Sequence, residues 1–366
     1  MIQTHASDVR QMTTSPEVQR FCRQCLQAEP SPEFPGPELL KVYSVQEHLY
    51  DEIFARNDLP PSYALRVLKA LVAQIEASID DWEEYAVSDN LLQCLANFRS
   101  ASQTGALADA TKKSPVVYYV SALEEVVANS NSNLNSNTNT NTNTHPTPTI
   151  TLLENRATIA AGGTTGIRTW EAAMHLGAYL CQHPDLVRGK RVLELGAGTG
   201  YIAALCAKFL GTAACVATDG SPEVVNSLPD NLELNGQSEV LSKELAWGPS
   251  PPDDWANWAG DSFDTILGAD ITFDARDMPD LLATIRWCLG GGAGGERDAS
   301  KMTQKTVLIA ATERNKRTFD TFIQLASESF DVEDVAFPVP SRAQQTGPFY
   351  SDAVPIHICL LQQLRS

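Results

Sequence analysis

Basic residues are scarce in this 366-residue chain: 27 Lys and Arg stand against 45 Asp and Glu, a formal net charge of −18. A nucleic-acid backbone would be repelled over most of such a surface, whereas a basic protein segment would be attracted. Long apolar runs are missing too. No stretch approaches the ~18 consecutive apolar residues of a membrane span, and the N-terminal MIQTHASDVRQMTTSPE lacks the apolar core of a secretory signal. Cysteine follows no pattern. Cys94, Cys181, Cys206, Cys215, Cys288 and Cys359 are scattered through apolar contexts, as expected of reduced, buried thiols in a cytosolic protein. Cys22 and Cys25 form the single C-x-x-C, without the second pair or strand-to-helix context that zinc or redox chemistry requires. They are expected to share one helix face, and no metal site is expected.

Residues 1–128 read as a helical region. Ser15-Pro16-Glu17 places a cap before a proline at the first helical position, and Ser44 with Glu47 has the spacing of a capping box. Pro61 opens a longer segment in which Leu65, Leu68, Leu71, Val72, Ile75 and Ile79 recur at helical spacing, and Asp89–Arg99 predicts a further helix. Residues 129–148 hold the tract NSNSNLNSNTNTNTNT, too polar to offset its ordering entropy, so a disordered insert is expected there. No Asn of that tract has Ser or Thr two positions on, which excludes glycosylation acceptors. GGGAGGERDASK, from Gly290, predicts a second flexible loop.

From 149 to 366 strands alternate with helices, which predicts a parallel α/β sheet covered on both faces. Seven strands are expected: Arg191–Leu195, Ala214–Thr218, Val240–Ala246, Phe263–Ala269, Thr306–Thr312, Val332–Phe337 and Ile356–Leu361. Only a proline-rich loop separates the last two, so they should pair as a hairpin.

Within this region RVLELGAGTG, Arg191 to Gly200, runs a short apolar strand with Glu194 near its tip into three glycines at alternate positions. Glycine permits a sharp turn and close backbone approach to a ligand, and the helix that follows presents unpaired N–H groups. The dinucleotide pattern needs one more glycine further on, where Tyr201 stands, so a cofactor without phosphates fits better. Asp219 closes the next strand, where a carboxylate can accept both hydroxyls of a ribose.

This stretch resembles the first motif of the seven-strand S-adenosylmethionine-dependent methyltransferases. Upstream GGTTGIRTWEAAMHLGAYL and downstream GADITFDA look like signatures of the protein-lysine methyltransferases with a D-x-x-F/Y motif after the fourth strand, here Asp270 to Phe273. The leader TLLENRATIAAGGTTGIRTWEAA and the helical N-terminal region most resemble the elongation factor 2 lysine methyltransferases. The resemblance implies a Rossmann-like methyltransferase sheet with its last strand antiparallel, S-adenosylmethionine as cofactor, and a cytosolic, monomeric enzyme acting on elongation factor 2. It implies cofactor contacts from Trp170, Glu194, Gly196, Ala197, Gly198, Asp219, Trp247 and Ala269. Relatives often carry an acidic residue before the second tryptophan; here it is Ala246.

Asp270 and Phe273 are the expected catalytic pair. Methyl transfer from a sulfonium needs an unprotonated amine aimed in line, so positioning is most of the work. A carboxylate beside a lysine favours the charged ammonium, so Asp270 is assigned to binding and orienting the amine, with desolvation aiding proton loss. Phe273 would wall the lysine channel by cation–π contact. A helix cap or structural hydrogen bond is the alternative role for Asp270. Two other readings of the chain stay open: the same fold acting on another protein, RNA or a small molecule, and a non-catalytic cofactor-binding module. The N/D-P-P-Y/F motif of base-amine methylation is absent.

Overall fold

The computed structural model describes residues 11–56, 58–103, 112–124, 147–156, 164–259, 263–291 and 305–364. The expected insert tract and most of the glycine-rich loop, from residue 292, lie outside these. The chain divides into two units. One holds the described residues of Met1–Tyr119, Leu153–Thr158 and Thr346–Phe349, and the other holds the rest.

The first unit is helical: α1 (Pro16–Leu26), α2 (Pro37–Leu40), α3 (Tyr43–Leu49), α4 (Pro61–Ser78) and α5 (Asp89–Gln103). Ser15 caps α1 through Val18 N, with Pro16 at the first position, as the sequence predicts. The capping box expected at Ser44 does not form. Helix α3 starts at Tyr43, so Ser44 lies inside it. The neighbouring Gln46 is instead buried, donating to Leu40 O and Ala86 O and accepting from Ser88 N. The Glu47 carboxylate that would close the box accepts instead from Ser88 Oγ and from Asn90 Nδ2 at 2.8 Å, tertiary partners that outweigh a local cap. Phe21, Leu49, Leu68, Leu71, Ile75 and Leu91 form the core. Cys22 and Cys25 are buried on α1, and burial pushes the Cys22 thiol up to about 12. All eight cysteines are free, and among the described residues no metal-holding cluster occurs. Nor is any described helix long and apolar enough to cross a membrane. Two short strands follow, β1 (Ser114–Tyr119) and β2 (Thr149–Glu154), and within the first unit the Tyr118 hydroxyl donates to buried Glu154.

The second unit carries a seven-stranded sheet of β3 (Arg191–Leu195), β4 (Ala214–Asp219), β5 (Leu241–Glu244), β6 (Thr265–Ala269), β7 (Thr306–Thr312), β8 (Phe330–Val335) and β9 (Ile356–Gln363). Their order is β5-β4-β3-β6-β7-β9-β8. Helices α6 (Glu171–Gln182), α7 (Tyr201–Leu205), α8 (Pro222–Leu234), α9 (Trp255–Ala259), α10 (Met278–Arg286) and α11 (Lys316–Ser327) connect the strands. The central β3 is buried from Val192 to Leu195, the near-continuous run of a parallel strand covered on both faces. All seven expected strands form. The antiparallel one is β9, as expected, and it lies between β7 and β8. The connection through α11 sets β8 one strand-width out, and the hairpin returns β9 into the gap. Asp331, Glu333 and Asp334 then charge the outer strand, a common defence of an exposed edge.

After β5 the chain returns to the other side of β3, so the strand order reverses between β3 and β6. Ligands of such sheets bind at that reversal, outside the carboxyl ends of the strands.

Candidate active site

At the tip of β3, Gly196, Gly198 and Gly200 all take positive φ, of 64°, 53° and 83°. At Gly196 this is compulsory twice over: a Cβ there would lie 2.5 Å from Ile271 Cγ2. Ala197 N donates to Thr218 O at 2.8 Å and Gly198 N to Asp219 Oδ2 at 3.1 Å, so the turn hangs from the end of β4. Asp219 Oδ1 accepts from Ser221 N at 2.9 Å. Each carboxylate oxygen therefore keeps acceptor capacity, and the half-buried group can take a pair of ribose hydroxyls. Burial raises the Asp219 pKa against the lowering effect of its amide donors. The Trp247 indole edge lies beside Gly196, its Cζ2 3.7 Å from the position a Cβ would occupy.

Glu194 does not reach the cleft. It is 3% exposed, and its Oε2 accepts from Ala203 N in the first turn of α7. The reason is the sheet itself: β3 is covered on both faces, so this side chain enters a helix-covered layer and takes the nearest amide. That amide is also withdrawn from the helix terminus expected to hold an anion. Burial pushes the Glu194 carboxyl up to about 8.

Ala269 ends β6 opposite Ala310 of β7. The next residue, Asp270, has φ 54°, a left-handed conformation that Asp tolerates better than most residues. Its carboxylate is not open. Oδ1 accepts from Thr312 N at 3.0 Å and Arg314 Nη1 at 3.2 Å. Oδ2 accepts from Ala172 N at 3.2 Å, Thr312 Oγ1 at 3.0 Å and Arg314 Nη2 at 3.3 Å. Five donors saturate the four or so lone-pair sites of a carboxylate. Asp270 thus caps α6, whose own N-cap, Trp170, offers no side-chain acceptor. The role of free acceptor for an ammonium is corrected to that of a saturated anchor. Phe273, three residues on, is 61% exposed.

Trp170, expected beside the cofactor, belongs to this second cluster. Its Nε1 donates to Thr165 O, and the guanidinium groups of Arg168 and Arg314 lie over its ring at 4.7 and 4.9 Å. Arg314 also pairs with Glu171, and Arg168 approaches the same carboxylate at 4.0 Å.

Sequence reasoning missed four residues here. Arg314 and Thr312 leave only a position just past a strand tip as their signal. Glu171 sits inside the quoted WEAA, and Ile271 inside GADITF, where it packs on both Gly196 and Gly268.

A glycine turn at the reversal point, a ribose-competent carboxylate on the next strand and an aromatic wall define a nucleoside-binding Rossmann-like transferase. Comparison with known proteins narrows this. A family model described as lysine methyltransferase matches residues 152–328. The chain is 44% identical over 361 residues to a Chaetomium thermophilum protein named Protein-lysine N-methyltransferase EFM3, covering 95% of this chain and 98% of that one. The Saccharomyces cerevisiae protein of the same name is 30% identical over 196 residues, covering 48% of this chain and 52% of its own. A human Protein-lysine N-methyltransferase EEF2KMT is 36% identical over 215 residues, 55% of this chain and 60% of that one. The chain belongs to the lysine methyltransferase family and is an S-adenosylmethionine-dependent protein-lysine N-methyltransferase. The residues present fit that cofactor: Asp219 retains acceptor capacity for ribose, and the positive-φ turn leaves its backbone bare beside Trp247.

Proposed function

We propose that the enzyme methylates a lysine of translation elongation factor 2. Within it, Gly196, Ala197, Gly198, Asp219, Trp247 and Ala269 line the cofactor, while Asp270, Phe273 and Trp170 shape the path of the lysine. One observation carries the site assignment: Ile271 packs against Gly196, which brings the segment Asp270 to Phe273 directly against the glycine turn. When bound, S-adenosylmethionine supplies a methyl group on a positively charged sulfur, open to displacement by an unprotonated amine. Asp219 accepts the ribose hydroxyls, Trp247 offers an apolar face, and Phe273 guides the incoming side chain. Asp270 acts by holding the loop and the start of α6 in register.

The target assignment is supported by the leader and helical region that resemble the elongation factor 2 methyltransferases. The name EEF2KMT carried by the human relative agrees with it. The net charge of −18 favours a basic segment around the acceptor. The protein works as a monomer in the cytosol.

Labelled S-adenosylmethionine, incubated with purified enzyme and elongation factor 2, elongation factor 1A or calmodulin in separate reactions, tests this. One lysine of elongation factor 2 takes the label. Asp219→Asn weakens cofactor binding about 10- to 100-fold, the worth of a hydrogen bond to a charged group, and leaves the KM for protein unchanged at saturating cofactor. Label on another factor alone moves the target; label on RNA overturns the reading.

A further inference from the structure

The chain has 18 more acidic than basic side chains, yet around Asp270 the charges match one for one. Asp270 faces Arg314 from the end of β6, and Glu171 faces it from the first turn of α6. Arg168, before α6, lies 4.0 Å from Glu171. From the β7 side Thr312 is neutral, and Glu313 is turned to His357 at 3.4 Å. Two carboxylates and two guanidinium groups therefore form a cluster with no net charge, its guanidinium groups lying over the Trp170 ring. Arg314 holds both carboxylates at once, with its side chain 41% exposed against 6% for Asp270 and 20% for Glu171. It is the outermost member of the cluster.

We propose that Arg314 is a positioning residue whose guanidinium cancels the field of Asp270 and Glu171, so that a lysine arriving beside them sheds its proton. This rests on the acceptor path proposed above. Left alone, two carboxylates would hold the lysine as ammonium, which has no lone pair to offer; a fixed cation nearby reverses that preference. The proton passes to bulk water. The nitrogen lone pair then forms the N–C bond as the C–S bond breaks, its electron pair staying on sulfur.

The test is the pH dependence of kcat, which reports groups in the bound complex, at saturating acceptor and cofactor, in the wild-type enzyme, Arg314→Lys and Arg314→Gln. Elongation factor 2 is the acceptor. Should the wild type fail on it, total protein from a strain lacking the enzyme replaces it, so that a wrong target and a wrong role for Arg314 are told apart. Arg314→Gln moves the acidic limb about one unit upward, a loss of about tenfold at pH 7 that recovers by pH 9. Arg314→Lys keeps the wild-type limb with a lower plateau, because the charge survives and the two-pronged geometry does not. Equal loss at every pH, or the same shift in both variants, overturns the proposal. So does a lower KM with an unmoved limb, which would make Arg314 a placeholder that the substrate displaces. Calorimetry of acceptor binding to the wild type with S-adenosylhomocysteine, in two buffers of different ionisation heat, gives a second reading independent of any variant. Net proton release at pH 7.5 is expected, and its absence overturns the proposal.

Discussion

On the donor side the tip of β3 is held by backbone: three positive-φ glycines, and amides of Ala197 and Gly198 bonded to the end of β4. On the proposed acceptor side the tip of β6 is held by side chains. The carboxylate of Asp270 gathers donors from residues 98, 42 and 44 positions away, and Arg314 reaches Glu171 across 143. The first arrangement is stiff, suited to a cofactor that is the same in every turnover. The second depends on balanced charge, suited to a protein substrate whose amine must change protonation state. Ile271 is where the two halves touch.

The sharpest way to break this division is to place a side chain in the donor turn. Gly196→Ala asks a β-carbon to adopt φ 64° and to sit 2.5 Å from Ile271 Cγ2. The left-handed conformation costs about 1–2 kcal/mol and the overpacking about 1–3 kcal/mol. Cofactor binding should fall below detection by calorimetry while denaturant melts show the combined loss. Ile271→Ala in the same chain removes the clash but not the backbone strain, so the pair should couple by about 1–2 kcal/mol in a double-mutant cycle. Strict additivity would mean that the two halves do not meet at this contact.

Next in size is a pH effect confined to the donor side. Glu194 is pushed up to about 8, chiefly by burial, with Ala203 N lowering it and Asp219 raising it. Between its unfolded value near 4.5 and about 8 the folded protein holds the extra proton, so stability falls as pH rises through that window. Burial lowers His175 from 6.5 to about 4, against the opposing effect of Phe337 O, so its contribution is present above 6.5 and lost on acidification. The interval from 6.5 to 8 therefore isolates Glu194. There the melting temperature of wild type should decline, at about 1 kcal/mol of stability per pH unit, and that of Glu194→Gln should stay flat. Parallel curves would remove the buried acid from the account.

This contrast also explains what could be read from the sequence. The glycine turn, the strand count and the place of Asp219 at the end of β4 were legible because each is a local pattern carried by backbone conformation. The cap at Ser15 was legible for the same reason, and the false box at Ser44 shows the limit: Glu47 has tertiary partners, Ser88 and Asn90, that no local spacing reveals. Glu194 was named correctly as a strand-tip carboxylate, but the face it enters follows from which helix covers β3. On the acceptor side Asp270 was legible and its state was not. Its saturation needs Thr312 and Arg314 from a strand that becomes its neighbour only when the sheet is assembled. The partners of Trp170, Arg168 and Arg314, are likewise brought to it by the fold.

The smallest expected effect is the most selective. Phe273 is 61% exposed at the end of a loop whose preceding residues, Ile271 and Thr272, are each only 6% exposed. An exposed aromatic side chain contributes little to folding, so Phe273→Leu should leave the melting temperature within the ~0.5 kcal/mol typical of surface changes. Cofactor affinity should not move either, since the donor turn is fixed by backbone. What the ring can supply is a face for a lysine side chain, worth about 0.5–1 kcal/mol at an exposed position, or roughly a two- to fivefold rise in KM for the protein substrate. The rise should be larger for an acceptor that already carries one or two methyl groups, because those present a wider apolar surface to the ring. Mass spectrometry of the product would then show unmodified and singly methylated lysine accumulating at the expense of higher states. An unchanged product distribution together with an unchanged KM would put the lysine path elsewhere than past Phe273, and would leave the side-chain half of the site with its anchor but without its wall.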